Sequence, residues 1–325
     1  MLRIFFTSDD IARTRLASAP DPLWETALSL HMLLDRRGED GHGAWRRAVA
    51  LSLRSSALLP DLRLLLALNP PTGYFPDFLT PHAGADGLEA GLDAIMSTPA
   101  VMLRRDLARL AEDHQLPSEV ADLGRGPAAE MIHLASAIRA YHDVGVAPYW
   151  PHIESVVEAD RARRVRAVAR LGAEGLLDSL RPTMRWKSGV LEVDYPLNRE
   201  IHLDGRGLLL IPSYFCWRYP VTLVDLELPP VLVYPADRSS TVVDRPGASL
   251  QALGALLGNT RAAALAAIGD GCSTTDLARR VGVSAAAASQ HATVLRNAGL
   301  VSSHREGNVV LHTVTPLGVA MLSGG

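Results

Sequence analysis

Four residues towards the end of the chain, Val281-Gly-Val-Ser284, constrain its fold more than any other stretch. They separate two helical patterns. In the first, Ser273 is placed to cap the start, and Asp276 three residues on completes a capping-box pattern. Leu277, Ala278 and Val281 recur at helical spacing, which gives the helix one apolar face. Gly282 tolerates the left-handed backbone that ends a helix, and Ser284 is a good N-cap for the next one. A turn this short, with a glycine between two capped helices, is the joint of a helix-turn-helix.

In the second helix, Ala288, Ala292 and Leu295 fall at i, i+4 and i+7 and form the inner stripe, with two alanines that allow close approach to a neighbour. The opposite face carries Ala286, Gln290, Thr293 and Asn297, flanked by Ala287, Ser289, His291 and Arg296. It is small and polar without heavy charge, as a helix lying against base edges requires. Gln bonds adenine through two contacts, and Ala or the Thr methyl packs on a thymine methyl. Arg279, Arg280, Arg296 and Arg305 are placed to meet phosphates, which add affinity but no sequence information. Thr274, Thr275 and Ser284, at the two helix starts, complete this side of the predicted interface.

Leu300–His304 and Val309–Thr313 are β-prone runs around the turn Arg305-Glu-Gly-Asn308, a hairpin signal. His304, Arg305 and Asn308 at its tip suit a wing that touches phosphates or a minor groove. Thr315-Pro316 then reads as an N-cap with Pro at the first helical position, opening a last short helix. The whole predicts a module that reads double-stranded DNA. The alternative is an enzyme or scaffold in which the same module mediates protein contacts.

Residues 250–318 resemble the winged-helix domain of ArsR-type regulators. The resemblance lies in Asp276-Leu-Ala, Gly282-Val-Ser284 and Ser289-Gln-His-Ala-Thr-Val-Leu-Arg-Asn-Ala-Gly-Leu300. Ala292 stands where that family usually has Leu. Its metal-sensing members carry paired cysteines around 273–277, where this chain has Ser273 and Thr275, with Cys272 alone beside them. The closing Pro316-Leu-Gly-Val-Ala-Met321 has no His, Asp or Glu for the other family site, and metal sites need converging ligands. The sequence therefore predicts no metal and no cofactor. More loosely, Met1-Leu-Arg-Ile-Phe-Phe-Thr, Asp10-Ile-Ala-Arg13, Asp204–Ser213 and Val233–Ala236 are similar to the long N-terminal region of actinobacterial ArsR-like regulators. The resemblance implies a bacterial cytoplasmic transcription factor.

With 325 residues the chain has room for two domains. The fold class expected is α+β, mainly α: a helical N-terminal domain with a small β-sheet over 1–235, a linker over 236–247 and the winged helix-turn-helix over 248–325. The net charge of −3 divides unevenly. Residues 249–325 hold five arginines against three acids, so a mildly basic module joins an acidic body, which fits local DNA contact. No run of roughly 18 apolar residues suggests a membrane helix, and the start lacks the pattern of a secretory signal. Two cysteines make no disulfide framework.

Along the first domain, a strand is expected over Leu2–Thr7, with a helix after Ser8-Asp-Asp10 and another from Asp21-Pro22 to Arg37. Helical patterns follow over 42–56, 87–96, 98–113 and 127–144, and 57–86 reads as irregular between short helical pieces. A long helix spans 150–171, ended by Gly172, and a shorter one covers Ala173–Leu180. The β-rich runs Gly189–Tyr195, Glu200–Leu203, Gly207–Ile211 and Val231–Tyr234 predict one small sheet that includes the first strand.

Three features of this domain carry competing readings. His142, Asp143 and His152 either gather a metal or simply hydrogen-bond within a loop. Arg161, Arg163, Arg164, Arg166 and Arg170 form either a second DNA surface or a solvated face paired with Glu154, Glu158 and Asp160. The aromatic patch of Tyr214, Phe215 and Trp217, with Trp150 and Trp186, either lines an effector pocket or fills a core or dimer contact. No phosphate loop, nucleophile elbow or His-Glu-x-x-His stretch is present, and no catalytic residue is nominated. The expected protein is a homodimeric regulator, with a small-molecule effector as an open possibility.

Overall fold

The computed structural model describes residues 1–34, 39–54, 58–125, 128–237, 248–269, 271–306 and 309–323. The chain divides into two units, Met1–Arg238 and Ser239–Gly325. Most of the expected linker, 238–247, lies outside the described residues.

The first unit opens with β1 (Leu2–Phe5), α1 (Ser8–Arg13), β2 (Arg15–Leu16), α2 (Pro22–Leu34), α3 (Glu39–Arg54) and α4 (Leu59–Leu68). Short 3-10 turns at Asp77–Leu79 and His82–Asp86 lead to α5 (Leu88–Met96), α6 (Ala100–Asp113), α7 (Ser118–Leu123) and α8 (Ala128–Gly145). Helix α9 (Trp150–Asp178) follows, then β3 (Met184–Lys187), β4 (Val190–Val193), β5 (Arg199–His202), β6 (Leu209–Ser213), β7 (Val221–Thr222) and β8 (Val231–Pro235). Helix α9 is broken at Gly172, whose φ of 69° is left-handed, where the sequence places the end of one helix and the start of the next.

Two sheets replace the single one expected. The first has the order β3-β4-β1-β5 and the second β2-β6-β8-β7. Strand β1 runs antiparallel to β4 and parallel to β5. In the second sheet β6 is parallel to both β2 and β8. Strands β6 and β8 are apolar on both sides because both sides are covered. Ile211, Val231 and Val233 join the helical core with Leu28, Leu65 and Leu134. Leu210, Leu232 and Tyr234 join Leu2, Ile4, Leu177 and Leu191 on the other face.

Helix α2 is buried almost all round, from Pro22 to Leu30, as a central helix must be. Buried carboxylates tie the helices and turns to the second sheet and its loops. Asp10 accepts the Gly207 amide at 2.9 Å, and Asp77 accepts those of Val224 and Asp225 at 2.9 and 2.7 Å. Gly207 is required there: it sits at φ 74°, and a β-carbon would come within 2.7 Å of the Arg13 carbonyl. Asp160 accepts the Tyr234 hydroxyl at 2.7 Å and pairs with Arg164 at 2.8 Å.

That last pair corrects part of the solvated-face reading of the α9 arginines. Arg164 and Asp160 are buried, and Arg164 also donates to the Ser179 carbonyl. Arg161 bonds Glu158 and the Ala17 carbonyl, Arg163 bonds Asp237, and Arg166 and Arg170 are exposed.

The second unit comprises α10 (Ala248–Leu257), α11 (Asn259–Ile268), β9 (Cys272–Ser273), α12 (Thr274–Val281), α13 (Ala285–Asn297), β10 (Val301–Glu306), β11 (Val309–Val314) and α14 (Pro316–Ser323). Its sheet has the order β10-β11-β9. Leu265, Ile268, Leu277, Ala288, Ala292, Leu295 and Leu300 form its core. Among the described residues no helix is long and apolar enough to cross a membrane.

Candidate nucleic-acid interface

Helices α12 and α13 are fixed by the local signals read from the sequence. Ser273 Oγ accepts from the Asp276 amide at 3.1 Å and donates to the Asp276 carboxylate at 2.7 Å. Against a smaller upward push from burial, this bond and the nearby Arg279 and Arg280 hold the Asp276 carboxyl below its usual range. Helix α12 ends at Gly282, left-handed at φ 73° and ψ 34°. No neighbouring atom crowds that glycine, so backbone conformation rather than space selects it. Ser284 then caps α13 by accepting the Ala287 amide at 3.2 Å.

Helix α13 has a sealed back and an open front. Ala288, Ala292 and Leu295 are each 1% exposed. On the opposite side Ala286, Ser289, Gln290, Thr293, Arg296 and Asn297 are exposed, while Ala287 and His291 are half-buried. The Thr293 hydroxyl donates back to the Ser289 carbonyl at 2.9 Å, so it is engaged within the helix. Val294, 41% exposed, adds an apolar position to the open side of the helix.

The arginines differ in how far they are engaged. Arg279 pairs with Asp276 at 2.7 Å, and Arg280 donates to the Ala267 carbonyl at 2.8 Å. Arg296 is exposed and pairs with no acid among the described residues. His304 and Arg305 are exposed on β10, whereas Asn308 lies outside the described residues. Thr275 and Ser284 are exposed.

Thr274 departs from expectation. It is half-buried, and its hydroxyl lies 2.9 Å from Nε2 of His312. The other ring nitrogen of His312 lies 2.8 Å from the Ser303 hydroxyl. Burial pushes the His312 imidazole below its usual range, and the Arg296 charge adds to this. One neutral ring thus joins the start of α12 to both strands of the hairpin. Cys272 stands opposite His312 in the β9–β11 ladder, and burial pushes its thiol up. Among the described residues no three His, Cys, Asp or Glu side chains are grouped to hold a metal.

The proposed effector residues do not converge. Tyr214 and Phe215 are buried around His42, with ring centroids 5.2 and 5.5 Å from it, and Trp217 flanks the same ring at 6.1 Å. Trp45 closes the group at 4.6 Å from Phe215. Tyr214, Phe215 and Trp45 are packed core, and Trp217 is 36% exposed at its edge. Trp186 belongs to the other cluster, edge-on to Phe6 at 5.2 Å. Trp150 lies beside His142 and donates to Glu154 at 2.9 Å.

Comparison with family models, with curated proteins and with solved structures gave no match to this chain.

Proposed function

We propose that the chain is a sequence-specific DNA-binding transcriptional regulator whose second unit is a winged helix-turn-helix of the ArsR-like kind, acting as a homodimer in the bacterial cytoplasm. One observation carries this reading: the back of α13 is sealed, while a low-charge face with Gln290 and Thr293 stands open to solvent. A helix built this way fits the major groove, where its side chains meet base edges. Arg296 on the same helix, and His304 and Arg305 on β10, are exposed groups suited to phosphates. Two copies would read half-sites about one turn apart, roughly 34–36 Å.

Selection of genomic fragments with the purified full chain, followed by binding measurements at fixed salt, tests the reading. Gln290→Ala should relax discrimination at one base pair by about 1–3 kcal/mol, whereas Arg305→Ala should weaken all sequences alike and flatten the salt dependence. Failure to retain any duplex at low ionic strength, or an unchanged site preference in Gln290→Ala, would refute the assignment.

A further inference from the structure

The first unit contains a cavity of about 110 Å³ away from the aromatic cluster. Its wall comes from the start of α2 (Asp21, Trp24), the 3-10 turns (Thr80), strands β6 and β8 (Ile211, Val231) and the loop residue Leu228. The wall is mostly apolar; of its three polar side chains, Asp21 is 4% exposed and Thr80 3%, while His82 lies exposed at its edge.

The protein leaves Asp21 partly satisfied and Thr80 without a partner among the described residues. Asp21 Oδ1 caps α2 by accepting the amides of Leu23 and Trp24 at 2.9 and 3.1 Å. Among the described residues its Oδ2 receives no donor and pairs with no arginine or lysine. Thr80 Oγ1 is buried with no hydrogen-bond partner among the described residues. A buried hydroxyl left unpaired costs on the order of 1–3 kcal/mol. A carboxylate held by two amides but facing apolar surroundings without a counter-charge is also disfavoured. Burial accordingly pushes the Asp21 carboxyl up to about 6, against the two amides that hold it down. A cavity lined this way rejects anions and favours a cation that brings its own N–H donors.

We infer that this cavity is a binding site for a small apolar primary amine, with the ammonium held by Asp21 Oδ2 and Thr80 Oγ1 and the hydrocarbon packed on Trp24, Ile211, Leu228 and Val231. Its size favours short branched chains: an engineered cavity of roughly 150 Å³ holds benzene, so about five non-hydrogen atoms suit this one. The site lies wholly within the first unit and does not depend on how the second unit meets DNA.

Ligand-observed NMR titration of the full chain at neutral pH, with isobutylamine, isobutanol and isobutyrate as probes, tests the site. Isobutylamine should bind at least tenfold more tightly than the alcohol, and isobutyrate should not bind. Asp21→Asn keeps a good helix cap and should bring the amine down to the affinity of the alcohol. Thr80→Val should weaken the amine several-fold, with circular-dichroism melts confirming that both variants are folded. Equal binding of amine and alcohol to the wild type, or no amine binding at millimolar concentration, overturns the proposal. So does an amine affinity that survives Asp21→Asn. The wild-type comparison decides the matter even if a variant fails to fold.

Discussion

Replacing Glu25 with Gln pits burial against hydrogen bonding at one carboxylate. Glu25 is fully buried in α2, and burial pushes its carboxyl from an ordinary 4.5 up to about 7. Opposing this, Oε2 accepts the Ser213 hydroxyl and the Phe215 amide, both at 3.0 Å, and Oε1 accepts the Tyr214 amide at 2.8 Å. A carboxyl whose folded value is raised binds its proton more tightly in the fold than in the unfolded chain. Its stabilising contribution is therefore complete below pH 4.5 and is lost as pH rises through about 7. At about 1.4 kcal/mol per pH unit, the loss is roughly 3 kcal/mol. Glu25→Gln removes this dependence. It also turns an amide NH2 towards one of the three donors, at a pH-independent cost of about 1–3 kcal/mol. Urea unfolding of both proteins between pH 4.5 and 8 should show the variant gaining on the wild type by roughly 3 kcal/mol across that span. A difference that stays flat with pH would mean that the three donors outweigh burial and that Glu25 is ionised throughout, refuting the reasoning.

Other sites give sharper local tests. His312 sits below its ordinary 6.5, so the stability it confers is present above that value and is lost as pH falls beneath it. The gap in melting temperature between wild type and His312→Gln should narrow from pH 7.5 to 5, and a constant gap would count against a neutral ring. Ser284→Ala should cost about 1 kcal/mol and speed hydrogen exchange at the Ala287 amide, which loses its acceptor. Ala292→Leu should destabilise the second unit by about 1–3 kcal/mol through overpacking, read by urea unfolding. A stabilised variant would show that α13 does not lie close to its neighbours.

The second unit was legible because its signals are local. Ser273, Gly282 and Ser284 act within one helical turn, and the spacing of Ala288, Ala292 and Leu295 alone decides which side of α13 is buried. His312 was not legible, since the hydroxyls it joins lie 9 and 38 residues away in sequence. The two sheets merged into one for a related reason. Strands β6 and β8 are apolar at successive positions, so no alternation shows which side faces the helices. Glu25 looks like any acid in the first turn of a helix until α2 is seen to be enclosed. Aromatic density was a poor guide to proximity. Tyr214, Phe215 and Trp217 stay together as chain neighbours, but Trp186 and Trp150 pack where their own elements carry them. The cavity gave no sequence signal, because its wall is drawn from residues between 21 and 231.

The position of β1 imposes an order on folding during synthesis. Leu2 pairs with Val193 on one side and Arg199 on the other, so an inner strand meets its partners nearly two hundred residues after it is made. At ~5–20 residues per second, a ribosome needs roughly 10–40 s to cover that distance. The helices from α2 to α8 can condense in the interval. Leu2 and Ile4, both buried in the finished fold, must wait outside. Throughout that wait the nascent chain trails a short sticky ribbon, open to capture by chaperones or by the same ribbon on a neighbouring chain.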